Sequence, residues 1–438
     1  MLKSVAIIIA LSLLFSFCIL FSNNSAESLE AFNETTCLST IKLPAKKEDN
    51  TYTALNYTTV KAMWISQFDM YEVYTKGGAQ RPVEDYTEKV KRMISNISSL
   101  GINTVFFQLR PNGDSLYPSE LFPASKYATG RYGRELDYDP FDIFSDIAHK
   151  ANISVHAWIN PMRCMTEEEI SSISESYIIK KWYSDGSPFI SKVNSVCYLN
   201  PAYNETRELI CRGVLEIISN YEVDGVHIDD YFYPTTDESF DSAAYNEYAK
   251  AKETMSLSEF RREQIDTLVR GIYSTVKNYN HTILFGISPG GNNNRNYNEL
   301  YANIYEWCAN DGYIDYLCPQ IYFGFEHQTH SFYKICDEFC NIIQKDDIKL
   351  IIGTTLGKAY DGYNGEGDKW AGVGKNEWIE NRDILKRSLE YVSNKENCAG
   401  VAFFSYRYFF DPLTSVPIPE TSEEIEAFLP ILKKFRSV

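Results

Sequence analysis

The chain has 438 residues, enough for one large domain with insertions or two of ordinary size. Its 59 acidic and 42 basic side chains give a formal net charge of −17, which excludes a nucleic-acid partner, because that needs a basic face. The balance fits a protein that handles neutral or cationic polymers, and a hydrophobic content of 44% is that of an ordinary globular core.

Residues 1–26 have the shape of a targeting segment. Lys3 is the one early charge, an apolar run extends from Val5 to Phe21, and a polar exit ends at Ala26. A signal peptide cut near Ala26 is expected, or an uncleaved N-terminal anchor, since the run is at the short end for a span. Either form places the protein outside the cytoplasm, secreted or in the cell envelope, and only the anchor would touch a membrane. Residues 27–60, rich in Asn, Thr, Lys and Glu, read as a linker. Residues 61–438 form the remaining domain. Cys164, Cys197, Cys211, Cys308, Cys318 and Cys398 lie in or beside apolar segments, as small hydrophobes would, so no disulfide framework is expected. Cys336 and Cys340, one helical turn apart, fit the inner face of a helix.

From Lys61 onward strands alternate with helices. The strands are Lys61–Asp69, Thr104–Arg110, Ser154–Asn160, a fourth within Val223–Pro234, Thr282–Pro289, Ile314–Tyr322, Lys349–Gly357 and Gly400–Tyr406. Helices are expected at Val83–Leu100, Pro140–Ala151, Asn204–Tyr221, Ser242–Thr254, Leu257–Tyr279, Asn298–Ala309, Ser331–Gln344, Asn376–Ser393 and Glu423–Lys434. Residues 164–199 are a long excursion with weak structure. Eight strand–helix units joined by right-handed crossovers predict an α/β fold, a closed (β/α)8 TIM barrel with long loops at its C-terminal face.

That fold gives meaning to polar residues at strand C-termini. Arg110, Asn160, Arg163, His227, Asp229, Asp230, Gln320, Tyr322 and Tyr406 are expected to gather at one mouth. The fourth strand is the densest: Asp224-Gly225 opens it as a turn pair, and it ends in Asp229-Asp230-Tyr231-Phe232-Tyr233-Pro234. His227 and Asp229 are two apart and project to the same side, the barrel interior. Asp230 points outward if the strand continues, and into the mouth if the strand stops. Carboxylates with neighbouring aromatics are the materials of glycoside cleavage, which needs two carboxyl groups, one of them protonated. Asp230 and Glu326 are the candidate acids, and Asp114 and Asp361 also fall in mouth loops. The glycine-rich run from Gly290 to Arg295 lacks the spacing of a phosphate loop. His327 and His330 read as a solvated loop, there is no His-Glu-x-x-His, and neither metal nor other cofactor is expected.

Five motifs together resemble one family. They are Phe107 to Ser119 (Phe-Gln-Leu-Arg-Pro-Asn-Gly-Asp-Ser-Leu-Tyr-Pro-Ser), Ala157 to Arg163 (Ala-Trp-Ile-Asn-Pro-Met-Arg), Asn200-Pro201, Asp224 to Pro234, and Pro319 to Tyr322 (Pro-Gln-Ile-Tyr). In these the chain resembles the bacterial glycosyl hydrolase-like family 10 proteins of the cell envelope, from about Lys61 to Tyr406. The resemblance implies a TIM-barrel glycosidase. It also implies a substrate in bacterial cell-wall glycan, peptidoglycan strands stripped of stem peptides, and a catalytic centre at the Asp-Asp pair. The loop after the sixth strand, Phe323 to His327, departs from the family pattern, which favours Asp230 over Glu326 as the acid.

The expectation is therefore an exported hydrolase of O-glycosidic bonds in a polysaccharide. Asp229 is nucleophile or charge stabiliser and Asp230 acid/base. Arg110, Asp114, Asn160, Arg163, His227, Gln320 and Tyr322 hold sugar hydroxyls or tune the acids, and Trp158, Tyr231 and Tyr233 stack on sugar rings. The competing readings are a metal-dependent polysaccharide deacetylase and a barrel that binds glycan without cleaving it.

Overall fold

The eight segments that form the barrel are buried on both faces, one toward the barrel interior and one toward the helices. In the computed structural model, which describes residues 52–251 and 255–435, they are β1 (Val60–Ile65), β2 (Thr104–Arg110), β3 (Ser154–Ile159), β4 (Gly225–Ile228), β5 (Leu284–Ile287), β6 (Tyr316–Leu317), β7 (Lys349–Thr355) and β8 (Cys398–Phe404). Each pairs in parallel with the next, and β8 closes on β1, so the sheet has no edge. The described residues belong to one compact unit, Glu48–Val438. The expected signal segment and residues 27–51 of the linker lie outside the described residues.

Inward residues form a barrel core that includes Val60, Ala62, Trp64, Phe106, Trp158, Tyr316, Cys318, Ile351 and Ala402. Outward residues join the helices in a second core. Helix Val83–Ser99 buries Tyr86, Val90, Met93, Ile94 and Ile97 along one face, and Phe107 of β2 stacks on Phe144 of helix Pro140–Lys150 at 3.9 Å. Midway up the barrel, aromatic rings replace aliphatic filling. His227 lies flat on Phe106 at 4.1 Å, and Tyr316 stacks on Phe106 at 5.9 Å. Two inward glycines make the room. A Cβ on Gly225 would stand 2.4 Å from the His156 ring, and one on Gly286 would stand 2.2 Å from the Tyr316 ring.

The helix expected over Asn376–Ser393 is two, Glu377–Glu380 and Ile384–Ser393. Four further local features differ from the expected elements around the barrel. Asp224 is buried at the foot of the barrel rather than in a turn: it accepts Val155 N–H at 2.7 Å, and His149 Nε2 lies 2.9 Å away. Residues 52–59, expected as linker, lie across that end, with Tyr52 and Leu55 bonded to Asp224 and Ala54 N–H to Thr282 at 3.1 Å. The excursion 164–199 contains a three-stranded antiparallel sheet of Arg163–Thr166, Val196–Leu199 and Ile190–Val193, whose four-residue strands are too short to show an alternation. The sixth strand is short because Pro319 has no N–H to continue the ladder. Pairing resumes one residue later, where Gln320 bridges Gly290 and Gly353.

Candidate active site

The C-terminal ends of the strands enclose a cavity of about 280 Å³ lined by Asp229, Asp230, Trp158, Asn160, Arg163, Tyr231, Gln320 and Tyr322, with Trp64, Ser66, Gln67, Phe68, Gln108 and Phe404. β4 stops at Ile228, and Asp229 keeps the inward phase of that strand. Its Oδ2 accepts Asn160 Nδ2–H at 2.5 Å and Trp158 Nε1–H at 3.2 Å, and its Oδ1 accepts Tyr231 N–H at 3.1 Å.

The orientation of Asn160 is set from behind. Its Oδ1 accepts Gln108 Nε2–H at 2.7 Å, and Gln108 Oε1 accepts Gln67 N–H at 2.8 Å. The expected strand Lys61–Asp69 stops at Ile65, where Ser66 caps a helix Gln67–Tyr74. A line of amides thus runs from Gln67 at the start of that helix through Gln108 of β2 to Asn160 just after β3, and ends in an N–H aimed at Asp229. Gln67 and Gln108 were not anticipated. Gln108 carried a signal, because it is inward with Phe106 and one register step below the end of β2.

Because the strand has ended, Asp230 turns into the mouth. Its Oδ1 accepts Gln320 Nε2–H at 3.2 Å, and Gln320 is anchored by a second donation to the Ser288 carbonyl at 3.0 Å. Gly290 lies alongside, where a Cβ would stand 3.5 Å from Asp230 Oδ2. Burial, and then the charge of Asp230, push the Asp229 carboxyl above the ordinary range. Burial also raises Asp230, opposed by the Gln320 hydrogen bond and the Arg295 charge. Two neighbouring carboxyl groups that burial raises in this way retain a proton between them at neutral pH. Asp229 already accepts three N–H donors and is the better carboxylate. With the proton on Asp230, the repulsion that raises Asp229 is gone.

The rim is aromatic and basic. Tyr231 is 47% exposed, and the Arg163 guanidinium sits 5.1 Å from its ring centre. Trp158, Tyr322, Phe404 and Phe68 supply further ring surface.

Six expected site residues lie elsewhere. Arg110 is fully buried behind the sheet, its guanidinium 3.7 Å over Phe122. The register between β2 and β3 slips between Gln108 and Arg110, and this bulge turns Arg110 from the mouth to the helix layer, where Gly213 leaves room for it. Asp114 is buried in its own loop, accepting Asn112 N–H and the Tyr132 hydroxyl at 2.8 Å each. His227 is inward but one layer below the cavity, filling the barrel. Trp64 Nε1–H donates to its Nε2 at 3.1 Å, and its Nδ1 lies 2.9 Å from the Tyr316 hydroxyl. Burial, then His156, drive its pKa well down, so the ring is neutral, with its proton on Nδ1. Tyr233 is buried with its hydroxyl donated to Asp241 at 3.0 Å, and so offers no stacking face. Glu326 is exposed in its loop and does not line the cavity, while its backbone N–H binds Glu377. Tyr406 is fully buried, with its hydroxyl accepting from Asn96 at 3.1 Å.

Among the described residues no group of three His, Cys, Asp or Glu side chains is placed to hold a metal ion. His327 and His330 form a turn in which His327 Nδ1 accepts His330 N–H at 3.1 Å.

A family model described as glycosyl hydrolase-like 10 matches residues 59–371. The chain is 30% identical over 324 residues to the glycosyl hydrolase YngK of Bacillus subtilis (strain 168), a match that covers 70% of this chain and 62% of that protein. It is 30% identical over 344 residues to the glycosyl hydrolase DigH of Escherichia coli (strain K12), covering 73% of this chain and 76% of that protein. The chain thus spans less than two thirds of the Bacillus relative. Among solved structures, the catalytic domain of β-amylase from Paenibacillus polymyxa superposes with a TM-score of 0.51 at 9% identity, covering 86% of this chain and all of that one. The endo-1,4-β-mannanase from Rhizomucor miehei superposes with a TM-score of 0.50 at 11% identity, covering 90% and 98%. At these identities the likeness is one of fold.

Proposed function

The chain belongs to the glycosyl hydrolase-like 10 family, and from that premise we propose that it is an exported glycoside hydrolase that cleaves O-glycosidic bonds in the glycan strands of bacterial cell wall. The observation that carries the reading is the carboxyl pair Asp229 and Asp230 at the end of β4, the first buried and the second half-buried, both raised, and both lining one cavity. A glycosidase needs one carboxyl group that is still protonated at working pH, and another that is charged where positive charge develops on the sugar.

Asp230 is the acid. Its Oδ1 takes the Gln320 N–H, which leaves Oδ2 to carry the proton beside Gly290. Asp229, held by Trp158, Asn160 and the Tyr231 backbone, keeps its charge beneath the anomeric carbon as nucleophile or stabiliser. Arg163, Gln320 and Tyr322 reach sugar hydroxyls, and Trp158, Tyr231 and Phe68 offer ring faces for sugar C–H surfaces. The cell-wall substrate is supported by the five sequence motifs, and export by the apolar segment before Ala26.

The reading is tested by incubating the protein with purified peptidoglycan glycan stripped of stem peptides and, separately, with plant polysaccharides, with products weighed by mass spectrometry. Shortened saccharides from the cell-wall glycan are expected. Cleavage of plant polysaccharides alone would reject the substrate, and cleavage of neither would reject the activity.

A further inference from the structure

The position of the two carboxyl groups restricts how carbon can be attacked. In double displacement an enzyme carboxylate attacks from the face opposite the acid, at a carboxyl separation of about 5–5.5 Å, and inversion needs about 6.5–9.5 Å with a water between. Either geometry draws its two groups from opposite sides of the sugar. Here both come from consecutive residues at one strand end, Asp229 held on the β3 side by Trp158 and Asn160 and Asp230 on the β6 side by Gln320. No other Asp or Glu lines the cavity among the described residues. Asp69, nearby in sequence to Gln67, is fully buried, and its two oxygens accept from Ser66, Ser405 and the Arg407 backbone. Glu72, Asp361 and Asp411 line an adjoining cavity on the other side of Phe68, which borders both. The cleft thus holds an acid with no protein nucleophile facing it.

We propose, on the reading that the chain is a glycosidase, that its substrate supplies the nucleophile: the sugar bound above Asp229 is a 2-acetamido-2-deoxy sugar whose own carbonyl oxygen attacks C1. As that bond forms, the glycosidic C1–O bond breaks, and the leaving oxygen takes the proton of Asp230. The product is a cyclic oxazolinium ion with its positive charge shared by the acetamido carbon and nitrogen. The Asp229 carboxylate accepts the acetamido N–H and faces that charge. In the second half, Asp230, now ionised, takes a proton from water, the hydroxyl adds to C1, and the C1–O bond of the ring reopens to the acetamide. The configuration at C1 is retained and Asp230 ends protonated. This division explains the asymmetry of the pair. Asp229 is locked by two side-chain donors and the Tyr231 N–H, as a group that must stay charged and still, while Asp230 has one side-chain donor, Gln320, as suits a group that exchanges its proton.

The test uses the full chain with cell-wall glycan and chitin oligosaccharides, and the same oligosaccharides carrying N-fluoroacetyl groups, whose carbonyl oxygen is a poorer nucleophile. Hydrolysis with retention at C1 is expected, and kcat should fall about tenfold or more on fluoroacetyl substitution, each tenfold being about 1.4 kcal/mol of barrier. The thiazoline analogue of N-acetylglucosamine should inhibit competitively. Four results would overturn the proposal while leaving a glycosidase: inversion at C1, a kcat indifferent to fluorination, a covalent glycosyl-enzyme trapped by a 2-deoxy-2-fluoro glycoside, or hydrolysis confined to polysaccharides without acetamido groups. A loss in Asp361→Asn equal to that in Asp230→Asn would also overturn it, by supplying the missing opposed carboxylate. Failure to hydrolyse any glycan would overturn the glycosidase reading itself, and the proposal with it.

Discussion

Asp229 and Asp230 are neighbours in the chain with different surroundings, and their titration should report it. Burial raises both, so the pair holds a proton at pH values where an exposed carboxyl, with a pKa near 4, has lost it. Acid catalysis needs that proton. The ratio kcat/KM should therefore fall as pH rises through the raised pKa of the pair, well above the usual carboxylate range, and the alkaline limb should vanish in Asp230→Asn. An alkaline limb between pH 4 and 5 would contradict the raised pair. Most of this centre was legible in sequence. Period-two spacing placed Asp229 inward with His227, and the stop after Ile228 let Asp230 turn into the mouth. The same spacing failed for Arg110, because a bulge above Gln108 inverts the phase, and nothing in a run of Gln-Leu-Arg marks a bulge. It failed differently for His227, which has the right phase but lies one layer too low. Gln67 was invisible because its backbone matters only through contact with Gln108, 41 residues away.

The contrast between Arg110 and Arg163 carries from the residue to the strand that bears it. Arg163 lines the cavity, whereas Arg110 is sealed between β2 and the helix at Asn204–Asn220. Arg163→Met should raise KM for glycan about tenfold, the worth of a lost hydrogen bond to a charged group of about 1.5 kcal/mol. Arg110→Met should leave KM within about twofold, and equal effects in steady-state kinetics would contradict the placement. The inward glycines make a matching claim about packing. Gly286→Ala would push a methyl to within 2.2 Å of the Tyr316 ring, and should destabilise the fold by about 1–3 kcal/mol in denaturant unfolding. An unchanged midpoint would mean that the aromatic layer is loosely packed. The eight strands were readable because each lies in an apolar run that alternates with a helix, even where the ladder itself is as short as Tyr316–Leu317. The longer helices were readable because each is long enough to show its period. The helix expected over Asn298–Ala309 is only Ile304–Ala309; a separate short helix, Asn293–Asn298, precedes it, and between them Tyr301 has a left-handed φ of 57°. The short strands of 163–199 were missed because four residues hold no readable period.

At the scale of the molecule, closure of the barrel turns scattered motifs into a site. Trp158 and Asn160 come from β3, the carboxyl pair from β4 and Gln320 from β6, and only the sheet order brings them to one cavity. The barrel was legible from alternation alone, whereas the substrate was not, because the loops that would grip a glycan have no period and belong to this chain. The central claim is that Asp229 and Asp230 together break a glycosidic bond. It is tested most directly by measuring binding and turnover of denuded cell-wall glycan, by calorimetry and product mass, in the unaltered chain and in Asp229→Asn and Asp230→Asn. Turnover should fall about 10²-fold or more in each variant, the usual contribution of one such group, while the glycan Kd changes little. Turnover that survives in either variant would contradict the assignment of the pair.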